Sequence, residues 1–125
     1  MRTPAALAAV LAVAAAPADL LTIAGQAFPQ ADILDARAIA DGAGMPNIYV
    51  TMTPTAAARL AALSSANLGK PIPIAVGGAV LVNPVVREVI TGGAIEISGV
   101  GNFAAAVAMA KRISGKDPLP ESTDE

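Results

Sequence analysis

No cysteine and no histidine occur among the 125 residues, and one tyrosine and two phenylalanines make up the 2% of aromatic side chains. The missing cysteine excludes a disulfide scaffold, thiol catalysis and the common zinc sites. The missing histidine removes the most frequent general base and metal ligand. Charge is also scarce, at 14% of residues, with a formal net charge of -2 and no run of lysine or arginine. Such a chain has nothing with which to neutralise a row of phosphates, so binding to nucleic acid is not expected. What is abundant is aliphatic: 54% of the residues are hydrophobic and many of these are alanine. That composition argues against disorder and for one aliphatic core of a size that a single domain can bury.

The N-terminus has the three-part layout of an export signal. Met1-Arg2 gives a positive start, Pro4 to Ala16 is uninterrupted and apolar, and Ala16-Pro17-Ala18 is a small-x-small site before Asp19. The apolar run is shorter than the twenty or so residues of a spanning helix, so we expect residues 1–18 to be a signal peptide and the mature chain to start at Asp19. An uncleaved signal acting as an anchor, or an alanine-rich helix of the fold, are the alternatives. Pro, Gly or charge interrupts every later apolar run, which predicts no membrane span in the mature chain.

Patterning then predicts an α+β domain over 19–115, with a mainly antiparallel sheet and two helices packed on one face. Leu20 to Ala24 reads as a short strand ending at Gly25, and Phe28-Pro29 as loop. Between Ile33 and Ile39, Leu34, Ala36 and Ala38 alternate with Asp35 and Arg37, placing the first set inward and the second in water. The turn cluster 41–46 joins this run to a second alternation, Ile48 to Thr53, as a hairpin. Thr53 is an N-cap and Pro54 occupies the helical position that tolerates proline, predicting a helix over 54–67 with Ala56, Leu60 and Leu63 on its inner stripe. Gly77-Gly78 divides two strands, Ala94 to Ser98 is a half-buried strand, and Asn102 caps a second helix whose stripe is read as Phe103, Val107, Ala110 and Ile113. Residues 116–125 are polar and acidic with two prolines and read as a flexible tail.

Four pieces in order carry a resemblance. They are Val50-Thr51-Met52-Thr53-Pro54; Asn67-Leu68-Gly69-Lys70 followed by the apolar Pro71 to Val76; Ala79 to Asn83 followed by Pro84-Val85-Val86; and Ile90-Thr91-Gly92-Gly93-Ala94-Ile95-Glu96-Ile97-Ser98-Gly99 with Asn102-Phe103 and an alanine-rich helix. This series resembles the head subdomain of the first periplasmic domain of SecD and SecDF, subunits of the protein-export translocase. The family has an Asp-Gly turn where this chain has Gly77-Gly78, and Val100-Gly101 reads as an insertion. The resemblance implies a periplasmic or secreted, non-catalytic module that touches unfolded or exported polypeptide or a Sec-type membrane partner, without a cofactor. It also marks Gly69, Pro84, Gly92, Gly93, Gly99, Asn102 and Phe103 as family-motif positions of structural character. The proton-coupled work of that family belongs to transmembrane helices and is not carried over.

Rival chemistry is weaker. Gly99-Val100-Gly101-Asn102-Phe103-Ala104 matches a dinucleotide fingerprint, yet no second parallel strand follows the helix. Asp32 with Asp35, and Glu88 with Glu96, are candidate acid-base or calcium pairs whose spacing forms no oxygen-rich loop. Ser64-Ser65 has no histidine or Ser-x-x-Lys context to activate it. An accessory subunit of an envelope complex is the runner-up, and a small carboxylate-dependent enzyme the third reading. For peptide binding, exposed sheet edges are the expected place, with Pro71 and Pro73 blunting the edge that carries them.

Overall fold

The computed structural model describes residues 20–120. The segment read as a signal and the last five residues of the expected tail lie outside the described residues.

The strands are β1 (Leu21–Ile23), β2 (Gln26–Phe28), β3 (Ile33–Ala40), β4 (Pro46–Met52), β5 (Ile74–Val76), β6 (Ala79–Val82) and β7 (Ala94–Ile97). The helices are α1 (Pro54–Ala66) and α2 (Phe103–Ser114), with a 3-10 turn at Gln30–Asp32. The α+β class is as expected, and every paired strand among the described residues is antiparallel. The strands divide between two sheets, ordered β2-β1-β5-β6 and β3-β4-β7. One core joins them: Leu21, Ile23 and Phe28 from the first sheet's start, Ile48, Val50 and Ile97 from the second, and Ala56, Leu60, Ala106, Ala110 and Ile113 from the helices form a single buried cluster. Each fully buried Ile, Leu or Val contributes about 1.5–3 kcal/mol relative to exposure.

Local chemistry explains most elements. Thr53 Oγ1 accepts from the Ala56 amide and Pro54 occupies the first turn, so α1 begins where capping dictates, and Ala56, Leu60 and Leu63 are all buried. Asn102 Oδ1 accepts from the Ala105 amide at 2.8 Å and starts α2 in the same way. Gly77 and Gly78 have φ of 61° and 91°, the positive pair that a two-residue hairpin between β5 and β6 requires.

Four details depart from the sequence pattern. Phe28, read as loop together with Pro29, is the last residue of strand β2, which joins β1 through Ala24 and Gly25, whose φ values of 51° and 84° make the same kind of turn with one non-glycine residue. In β3 the register shifts between Ile33 and Asp35, a bulge that reverses the alternation. Leu34 is consequently 43% exposed while Ile33 and Ala36 both stay inside; Asp35 remains on the outer face, where residues of the 116–120 segment cover it to 7% exposure. In α2 the buried stripe is Ala106, Ala110 and Ile113, with Phe103 and Val107 facing outward at 50% and 40% exposure. Alanines let α2 lie close on β3 and β4, a contact that the larger side chains would hold apart. Finally, β5 is an interior strand between β1 and β6, so Pro71 and Pro73 do not mark an edge. Pro73 lies just before β5, and its carbonyl accepts from the Ala24 amide at 2.8 Å.

Candidate functional site

The three-stranded sheet has a dry face and a wet one. On the dry face the rows Ala38–Ile48–Ile97 and Ala36–Val50–Ile95 run across the strands, and Ile33 pairs with Met52. The wet face carries the rows Arg37–Tyr49–Glu96 and Asp35–Thr51–Ala94. Asp35 and Arg37 share that face as alternate residues of the strand at the sheet's edge, and the bulge at Leu34 lets Ile33 face inward ahead of them.

Asp35 and Arg37 form a forked ion pair, Nε to Oδ2 at 2.8 Å and a second guanidinium nitrogen to Oδ1 at 3.2 Å. The chain's own C-terminal segment lies on this pair. The Leu119 amide donates to Asp35 Oδ1 at 2.6 Å, and the Leu119 carbonyl accepts from Arg37 at 2.6 Å. Nearby, Lys116 Nζ donates to the Ile33 carbonyl at 3.1 Å and Ser114 Oγ donates to the Lys116 carbonyl at 2.8 Å. Residues 116–120, the start of the segment read as a flexible tail, are thus bonded back to β3. Burial raises the pKa of Asp35, but the Arg37 hydrogen bond, the Leu119 amide and the charges of Arg37 and Lys116 together outweigh it and hold the carboxyl below its ordinary value. The sequence placed Asp35 and Arg37 on the wet face; nothing in its periodicity announced Leu119, which contributes only backbone groups.

The family-motif positions do not converge on one spot. Gly93 has a specific reason to be glycine: its φ is 71°, and a Cβ there would lie 2.8 Å from the Ala57 Cβ of α1. Its carbonyl also accepts from the Met52 amide at 2.8 Å, which closes β4 against β7. Beside it, Gly92 faces open space. Gly69 follows α1, and its amide donates to the Val86 carbonyl at 2.8 Å; the Pro84 carbonyl accepts from the Ile72 amide at 2.8 Å. Gly99 follows β7 with room for a side chain, since a Cβ there would lie 3.8 Å from the Leu81 carbonyl oxygen, and Asn102 is the cap of α2. Phe103, at the first position of α2, is half exposed.

Three of the four candidate acid-base carboxylates are engaged with other partners. Asp32 binds Arg59 at 2.7 Å, Asp35 binds Arg37, and Glu96 accepts from Asn47 at 3.1 Å. Arg59 also lies 4.4 Å over the Phe28 ring and donates to the Ala27 carbonyl, fastening α1 to β2. Ser64 is buried with its hydroxyl engaged on both sides, donating to the Ala61 carbonyl at 3.0 Å and accepting from the Ile90 amide at 2.8 Å. The glycine fingerprint at 99–104 follows a strand that is antiparallel to its neighbour, contrary to the dinucleotide unit. Among the described residues, no group of three or more Asp or Glu could hold a metal ion, and no helix is long and apolar enough to cross a membrane.

These features define a class: a small α+β domain with two antiparallel sheets on one core. The chain belongs to the SecDF P1 head subdomain family, whose model matches residues 12–116. The protein translocase subunit SecDF of Thermus thermophilus is 38% identical over 92 residues, covering 72% of this chain, and the translocase subunit SecD of Acidaminococcus fermentans is 38% identical over 68 residues, covering 54%. This chain spans 12% and 16% of the length of those relatives. A solved structure of SecDF, a membrane component that enhances protein export, superposes with a TM-score of 0.66 at 35% identity, over 73% of this chain and 41% of that one. SecDF in a super-membrane-facing form gives the same TM-score and identity over 12% of its chain.

Proposed function

We propose that this chain is a non-catalytic contact module of the protein-export apparatus, working on the outer side of the membrane and touching extended or unfolded polypeptide or a Sec-type membrane partner. The match of residues 12–116 to the head subdomain carries this reading. Residues 1–18, with their positive start and apolar stretch, support delivery through an export signal. The family-motif residues act in this reading as turns, caps and close-approach points that hold the surfaces in place.

The test is hydrogen exchange on the purified chain with and without an unfolded exported polypeptide, paired with fractionation and intact mass of the tagged full-length protein. Protection on the domain surface, together with an envelope species whose mass starts near Asp19, is the expected result. A full-mass cytoplasmic species, or no protection anywhere, would remove the proposal.

A further inference from the structure

Leu119 is hydrogen-bonded through its backbone. Its N–H meets a carboxylate and its C=O meets a guanidinium, while its side chain stays 47% exposed. Those two bonds reproduce with side chains the donor and acceptor exchange that one residue makes with a neighbouring strand in an antiparallel ladder. The pair offering them is pre-organised, because the forked Asp35–Arg37 contact fixes both groups relative to each other and Asp35 is 7% exposed. The occupant is suited to it as well. Pro118 and Pro120 flank Leu119, keep the backbone extended and leave Leu119 as the one amide donor of that triplet.

We propose that Asp35 and Arg37 form a backbone clamp for one residue of an extended polypeptide, and that residues 118–120 are its built-in occupant, displaced when an outside chain binds. A site that grips N–H and C=O and leaves the side chain about half exposed places little demand on sequence, as contact with many different polypeptides requires. This deepens the proposed export function and rests on it for the identity of the outside chain. The tethered segment competes at high local concentration, so the clamp in the intact protein is occupied until that competitor is weakened.

Leu119→Pro removes the donated N–H at the tail without touching the core. The probe is a capped peptide with the sequence of residues 117–121, Asp-Pro-Leu-Pro-Glu, titrated into isotope-labelled full-length protein while amide shifts are followed. The Leu119→Pro chain is expected to bind it about tenfold or more tighter than the wild type, with shifts centred on residues 35–37, because the intramolecular competitor is gone. The same peptide with its leucine nitrogen methylated is expected not to bind. Absence of shifts at 35–37 in the Leu119→Pro chain, or equal binding of the methylated peptide, would overturn the clamp. An unfolded exported polypeptide that protects the domain elsewhere and leaves 35–37 unchanged would reject the clamp and keep the export function. Capture of the probe at 35–37 without any binding of unfolded polypeptide would keep the clamp and reject the export function.

Discussion

The two faces of the β3–β4–β7 sheet are built from different forces. The inner face is a lattice of aliphatic rows in which Ile48, Val50 and Ile97 are wholly buried, and its stability is spread over many weak contacts. The outer face depends on a few directed bonds, chiefly Asp35 with Arg37 and Leu119, with Tyr49 40% exposed beside them. A diffuse apolar face fails in proportion to the volume removed. A face made of few directed bonds can lose its occupant while the fold stays intact.

The largest expected effect tests that contrast within one strand. Ile48→Ala, on the inner face, should destabilise the domain by about 2–5 kcal/mol in chemical denaturation, whereas Tyr49→Ala, one residue along and facing outward, should cost less than about 1 kcal/mol. Similar losses at both positions would break the comparison.

The paired glycines before β7 sharpen it. Gly93→Ala should cost about 1–3 kcal/mol, since its Cβ would press on Ala57 and its φ of 71° disfavours a side chain. Gly92→Ala, facing open space, should stay within about 0.5 kcal/mol of the parent.

The smallest effect belongs to acid. Because Asp35 titrates below its ordinary value in the folded chain, its bonds contribute stability that is complete above the unfolded carboxyl pKa of about 3.9 and is lost as pH falls through the lowered folded value. Following the Asp35 carboxyl carbon by NMR should give a depressed midpoint. Arg37→Met should raise that midpoint, since it removes both the hydrogen bond and the charge by which Arg37 favours the carboxylate.

The legible parts of this fold were those written within a few residues. The Thr53-Pro54 start of α1, the Asn102 cap of α2, and the hairpins at 41–46 and 77–78 rest on local hydrogen bonds and φ preferences, so single residues announce them. The division into two sheets was hidden because β1 pairs with β5, Ile23 opposite Ile74, far along the chain. The bulge at Leu34 was hidden because alternation looks unbroken there until β4 fixes the register. The phase of α2 was misread because hydrophobicity ranks Phe103 and Val107 above Ala106, while the space between helix and sheet selects the small residue. Half of the candidate site, Asp35 with Arg37, was visible as polar positions. The other half is the peptide group of Leu119, which carries no side-chain signature.

The pairing of β1 with β5 also sets an order of assembly. β3, β4 and α1 can close with neighbours a short way along the chain, but Leu21 and Ile23 lack their central partner until about fifty residues later, when Ile74 to Val76 become available. During synthesis from the N-terminus, the β1–β2 hairpin is therefore a waiting piece, its apolar face and one ladder edge uncovered. The four-stranded sheet can close once β6 has been made, and the three-stranded sheet is completed later still, when β7 reaches β4 with Ile95 opposite Val50.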